Sequence, residues 1–300
     1  MKFDFFLKQH SNYSLTQAER LAFIDIRLSY LGEISRSDIM EEFRIAQAAA
    51  SKDLSEYRAL QEGKVDIDPQ SKRTIIKLEN FQPLFEISGQ NALSILANGF
   101  NRNYLIKAPS VIPVEYIEAS IEELSGSKIM AITRAIHKNK GVSCRYGSSH
   151  SDNHDTRTLI PTTLFVNKNE WYFRAFEYNE NVNTSCFKNF KFSRVESSEL
   201  LDLNIKYKMP PDIDWNTLIP VQIEVNNTLS DYIKDSIRKE FQLKSDTHTL
   251  FIKVALFPYI YSSWCIRTEQ QIQDGKFAKF QLLNLDLYQK IPTLSEFLEL

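Results

Sequence analysis

A chain of 300 residues with 43% hydrophobic and 12% aromatic content has enough apolar material for two or three packed domains, which excludes global disorder. A formal charge of −2 excludes indiscriminate polyanion binding by the whole molecule, so any nucleic-acid contact has to be local. Three widely spaced cysteines, Cys144, Cys186 and Cys265, suit reduced thiols better than a disulfide framework or a zinc site.

The amino terminus, MKFDFFLKQHS, carries Asp4 and Lys8 inside its apolar run and has no small-residue cleavage site, so no secretory signal is expected. The longest apolar run, Val254–Tyr261, is too short to span a bilayer. A cytoplasmic protein without a membrane partner follows as the expectation.

Residues 14–60 read as three helices in quick succession. Thr16 with Glu19 has capping-box spacing, Leu21, Ile24, Leu28 and Leu31 form a helical stripe, and Gly32 supplies a left-handed stop. A second helix spans Arg36–Phe43, with Ser35 and Asp38 as its cap and Ile34 and Ile39 as a hydrophobic staple. The third, Ala46–Leu60, puts Ala46, Ala50, Leu54 and Tyr57 on one side and Gln47, Ser51, Ser55 and Arg58 on the other.

A short helix, a tight turn and a helix with a small, polar amino-terminal half make a helix-turn-helix, whose second helix enters the major groove. Gln47, Ser51, Lys52 and Ser55 are the candidate DNA-binding residues of that helix. Two short strands, Val65–Ile67 and Thr74–Leu78, then flank Pro69–Arg73 as a wing, whose Lys72 and Arg73 are candidates for phosphate contact. Against this stands the charge count, 12 Lys and Arg to 13 Asp and Glu over residues 1–80, and an ordinary three-helix module with a hairpin has the same pattern.

Residues 96–140 read as a helical connector, with helical stretches at 114–124 and 128–138. Strands are expected at 141–146, 157–166, 170–178 and 186–192, close enough together to form a small antiparallel barrel. Along WYFRAFEY, Trp171, Phe173 and Ala175 should face one way and Tyr172, Arg174, Phe176 and Tyr178 the other. Arg174 and Arg194 beside so many rings are open to two readings, outward-leaning arginines on a barrel core or an anion pocket. His150 and His154 lie in a turn-rich loop, where their spacing does not align metal ligands, and no metal is expected. From 206 the texture changes to α+β: strands at 221–225 and 250–254, a helix at 229–241 with Ser230 as cap, and a final strand at 278–287.

With Tyr146, Arg157, Pro161, the WYF triplet and FKNFKFSR in this order, the middle region resembles the WYL domain. The whole chain resembles the phage-defence-associated WYL repressors of the BrxR and CapW type. Phe173 replaces the family's leucine, and Thr162 stands where many members have histidine, a polar contact for which His150 is a substitute candidate. The resemblance implies an α+β chain of a winged helix-turn-helix at 1–95, a connector at 96–140, an Sm- or SH3-like WYL barrel at 141–205 and a dimerisation domain at 206–300. It also implies a ligand site at Tyr146, Ser148, Arg157, Trp171, Tyr172, Arg174 and Arg194, to which His150 is added.

The reading reached is a homodimeric repressor of a phage-defence operon. It would bind a double-stranded operator with an inverted repeat and respond to a nucleotide or oligonucleotide effector. No cofactor is expected. The rival is an RNA- or single-strand-binding module stacking bases on the barrel. Without a Gly-rich phosphate loop or a nucleophile elbow, an enzyme is not expected.

Overall fold

The computed structural model describes residues 1–106, 113, 124–148, 156–179, 185–201 and 209–300. The chain divides into two compact units, Met1–Tyr207 and Lys208–Leu300.

The first unit begins with a helix absent from the sequence reading, α1 (Phe3–Gln9), whose Phe3 and Phe6 pack on Phe85 with ring centroids 5.6 and 4.9 Å away. Then follow α2 (Leu15–Leu31), β1 (Glu33–Ile34), α3 (Arg36–Phe43), α4 (Gln47–Leu60), β2 (Val65–Ile67) and β3 (Thr74–Ile76). Helix α2 is the core element: Leu21, Ile24 and Leu28 are fully buried, and Gly32 ends the helix at φ +84°. Its cap is Ser14, which accepts from the Gln17 N–H, and not Thr16. Glu19, the residue a Thr16 cap would recruit, instead accepts from Arg102. Helix α3 has the expected capping box between Ser35 and Asp38. Strands β1, β3 and β2 form the wing sheet in that order, all antiparallel.

Beyond the wing come α5 (Gly89–Asn98), a 3-10 turn at Arg102–Tyr104 and α6 (Gly126–Lys138). The helix expected at 114–124 lies outside the described residues apart from Leu124, which is not helical. Five strands follow: β4 (Gly141–Tyr146), β5 (Thr156–Asn167), β6 (Glu170–Tyr178), β7 (Cys186–Lys191) and β8 (Val195–Leu201). They make one antiparallel sheet in the order β7-β6-β5-β4-β8.

The expected closed barrel is therefore corrected to an open sheet, since among the described residues β7 and β8 do not pair. Pro161 sits at the bulge where the β5–β6 register shifts, a place that tolerates a missing N–H. Helix α6 covers one face, and Ile129, Ile132 and Ala135 join Val142, Leu159, Phe173 and Phe190 in one core.

The second unit contains α7 (Ile213–Asn216), β9 (Leu218–Val225), α8 (Asp231–Glu240), β10 (Thr247–Lys253), α9 (Phe257–Ser263), β11 (Ile266–Arg267), α10 (Glu269–Gln273), β12 (Phe280–Leu282), α11 (Leu285–Tyr288) and α12 (Pro292–Leu298). Its sheet runs β10-β9-β12-β11, and only β11 and β12 are parallel. The long final strand expected at 278–287 is corrected to the three residues of β12 followed by α11.

Candidate nucleic-acid interface

Helix α4 follows α3 across Arg44, which holds the left-handed conformation at φ 51°. Ala50, Asp53, Leu54 and Tyr57 bury one side of α4. Gln47, Ala48, Lys52 and Ser55 are exposed on the other, and Ala46, expected with the buried set, is instead the exposed N-cap. Ser51 is half-buried and accepts from Arg36 Nη1 at 3.3 Å, a link between the start of α3 and the middle of α4. Arg36 and Arg44 are both exposed at this end of the module. Neither is among the sequence candidates, because neither lies on the α4 repeat.

Several acidic residues of this module are engaged by partners within it. Asp53 is fully buried and takes Arg20 Nε at 2.5 Å. Glu56 accepts from the Tyr13 hydroxyl at 3.0 Å, and Glu42 from the Phe100 N–H at 2.6 Å. Burial raises the Asp38 carboxyl, but the Ser35 hydrogen bonds and then Arg27 at 3.1 Å and Arg73 at 2.9 Å together hold it below the usual range. On α4 itself, Asp53 is buried in an ion pair with Arg20 and Glu56 is half-buried against Tyr13, while Lys52 is exposed.

The two wing candidates part company. Lys72 is exposed at the tip, at φ 58°. Arg73 turns back into the module, its guanidinium 2.7 Å from Glu33 as well as 2.9 Å from Asp38. That side chain braces the wing and is not presented for a phosphate.

The candidate ligand residues are placed on both faces of the sheet. Trp171 and Tyr146 are core residues on the α6 face of the sheet, with Tyr146 edge-on to Phe190 at 5.1 Å and its hydroxyl accepting from the Lys191 N–H at 2.9 Å. Arg157 lies over the Tyr146 ring at 5.6 Å and is paired with Glu177 at 3.0 Å. Glu177 also holds Lys188 at 2.5 Å, so an anion at Arg157 would compete with a nearly buried carboxylate.

Arg174 projects from the opposite face, where it is 4% exposed, lies 5.5 Å over the Phe187 ring and donates to Asn189 Oδ1 at 3.1 Å. Thr162 donates to the Arg174 carbonyl at 3.2 Å. Tyr172 shares this face and stacks on Phe165 at 5.1 Å. Burial first, then Glu170, pushes its phenol up, and the positive charge of exposed Arg194 opposes them. Ser148 is half-buried after β4, and His150 and His154 lie outside the described residues. Phe173, Phe190 and Phe192 are internal, so these rings offer no platform for single-stranded bases.

With this geometry in place, two family models match the chain: the BrxR transcriptional regulator winged helix-turn-helix domain over residues 16–97 and the WYL domain over residues 127–200. The chain thus carries a region matching a BrxR-type winged helix and a region matching a WYL domain. The WYL match takes in α6 together with the sheet that it covers.

Along most of its length the chain is similar to proteins named DNA-binding transcriptional repressor CapW. Identity is 26% over 277 residues with the Escherichia coli protein and 24% over 274 residues with that of Pseudomonas aeruginosa, each time covering 90% of both chains. With the Stenotrophomonas maltophilia protein it is 28% over 214 residues, 69% of both chains. Proteasome accessory factor B/C of Arthrobacter aurescens aligns at a TM-score of 0.23 and 15% identity, covering 94% of this chain, which spans about half the length of that structure.

Proposed function

We propose that this protein is a sequence-specific DNA-binding transcriptional repressor that reads the major groove with α4. The observation that carries the reading is the α4 surface, where Gln47, Lys52 and Ser55 stand exposed while Asp53 and Glu56 are engaged by Arg20 and Tyr13. The similarity to repressors named CapW over 90% of both chains supports it. Lys72 at the wing tip, with Arg36 and Arg44, is in this reading the phosphate-contacting set.

The finer parts of the proposal are a homodimer on an inverted repeat, control of a phage-defence operon, a cytoplasmic location and an effector at the WYL sheet. For the effector, Arg194 beside Tyr172 is the most accessible cation of the candidate set. Among the described residues no helix is long and apolar enough to cross a membrane.

The test is protection of duplex DNA from the region upstream of its own gene, with Gln47→Ala and Lys52→Ala beside the wild type. Protection of an inverted repeat is expected, with each substitution costing about 1–3 kcal/mol of specific affinity if it removes a good base contact. Equal binding of unrelated duplexes by all three proteins would reject sequence-specific reading by α4.

A further inference from the structure

We propose that the corner between α2 and β1, Ser29–Glu33, is the joint through which helix α6 of the WYL domain sets the wing, with His137, Lys138 and Glu33 as positioning residues. The consequence for DNA rests on the function proposed above, whereas the mechanical coupling does not.

The last turns of α6 grip this corner at three successive points. Arg134 Nε donates to the Ser29 carbonyl at 2.7 Å. Lys138 crosses Gly32 so closely that a Cβ there would meet its Nζ at 3.0 Å. His137 Nε2 lies 3.3 Å from Glu33 Oε1. Glycine at 32 therefore serves two needs at once, the φ of +84° that ends α2 and room for the lysine. Helix α6 is in turn fixed to the sheet, since Ser198 of β8 donates to the Lys128 carbonyl at 2.8 Å and Ile129 and Ile132 are fully buried against the strands.

The same corner carries the wing. Ile76 N–H donates to the Gly32 carbonyl at 3.2 Å, and β1 pairs with β3 through Glu33 opposite Ile75 and Ile34 opposite Thr74. Arg73 then reaches the same Glu33 oxygen that faces His137, at 2.7 Å, and continues to Asp38 in the α3 capping box at 2.9 Å. Glu33 thus faces a residue of the WYL domain on one side and its ion-pair partner in the wing on the other. With side-chain exposures of 25% for Glu33 and 27% for Arg73, the pair is partly shielded from water. A surface ion pair contributes little to stability alone, but a carboxylate with partners on two sides is fixed in position, and a shift of α6 has to move or release it.

Amide hydrogen exchange on the full chain, without nucleic acid, tests the joint. Peptides covering residues 64–77 report the wing, and peptides covering residues 170–178 serve as the internal control. Arg73→Ala and Glu33→Gln should each raise wing exchange several-fold. The double variant His137→Ala and Lys138→Ala should do the same while the control peptide and the melting temperature stay at wild-type values, and His137→Gln, which keeps a donor near the Nε2 position, should restore most of the protection.

Wild-type wing exchange in the α6 double variant would overturn the proposal, as would a rise no larger than that of the control peptide. If the double variant fails to fold, His137→Ala alone with its Gln rescue decides, since a merely structural role predicts no change confined to the wing. Failure to bind any duplex would count against the proposed function and leave this result standing.

Discussion

Asp25 is 1% exposed inside the winged helix and accepts three hydrogen bonds, from the Tyr57 hydroxyl at 2.5 Å and from the Leu84 and Phe85 N–H groups at 2.8 and 3.0 Å. It thereby ties α4, the proposed recognition helix, to the segment that leaves the wing. Burial is the largest influence on its carboxyl and pushes it up to about 6 from 3.8, against the lowering effect of the three donors and the amino-terminal charge.

The sign of the pH dependence follows. Below about 3.8 both folded and unfolded chains hold the proton. Between 3.8 and 6 the unfolded chain releases it while the folded one retains it, so the stability this group contributes is lost as pH rises through that window and is level above it. Asp25→Asn should remove this component, on the order of 3 kcal/mol between the two pH limits. It should also lower stability at every pH, because the amide cannot accept from both Tyr57 and Phe85. Urea unfolding at pH 4, 5, 6 and 7 checks it, and an unchanged difference between variant and wild type across the series would refute the assignment.

At the scale of elements, local signals worked where the whole signal is local. The α3 capping box lies within four residues, Ser35 to Asp38, and the helix has the expected ends. Ser35→Ala should cost about 0.5–2 kcal/mol, whereas Asp38→Ala should cost more because it also abandons Arg27 and Arg73. Thermal melts of the two variants compare them directly, and equal losses would mean that the ion pairs add nothing.

Elements went astray where a distant partner decides. Both Ser14 with Gln17 and Thr16 with Glu19 fit a capping box, and Arg102, 83 residues away, takes Glu19 out of contention. Residues 280–287, FQLLNLDL, alternate like a strand, yet Asn284 accepts from the Gln222 N–H and donates to the Pro220 carbonyl, and the chain turns into α11. Strand β8, VESSELL, was invisible because only Val195 of it is buried. The aromatic motif located the WYL sheet, but alternation along β6 could not tell which of the arginines would meet Glu177, a contact made across strands.

At the scale of the whole molecule, the second unit leaves apolar surface in water on a defined sheet face. Leu218 opposite Lys253 and Phe251 opposite Pro220 share the outward side of β9 and β10, with Leu218 61% and Phe251 72% exposed. Among the described residues, strand β10 is also an edge strand, with one side of its backbone unpaired in the sheet. A second copy of the chain would cover both features with one two-fold interface, and two winged helices would then meet two half-sites. Sedimentation at micromolar concentration should give the mass of two chains for the wild type and of one for Phe251→Asp. The monomer should also bind duplex DNA with a shallower dependence on salt, since log K falls by about 0.9 for each phosphate contact per tenfold rise in salt. A wild type that sediments as a single chain would remove the two-fold reading, while leaving α4 as the reader of one half-site.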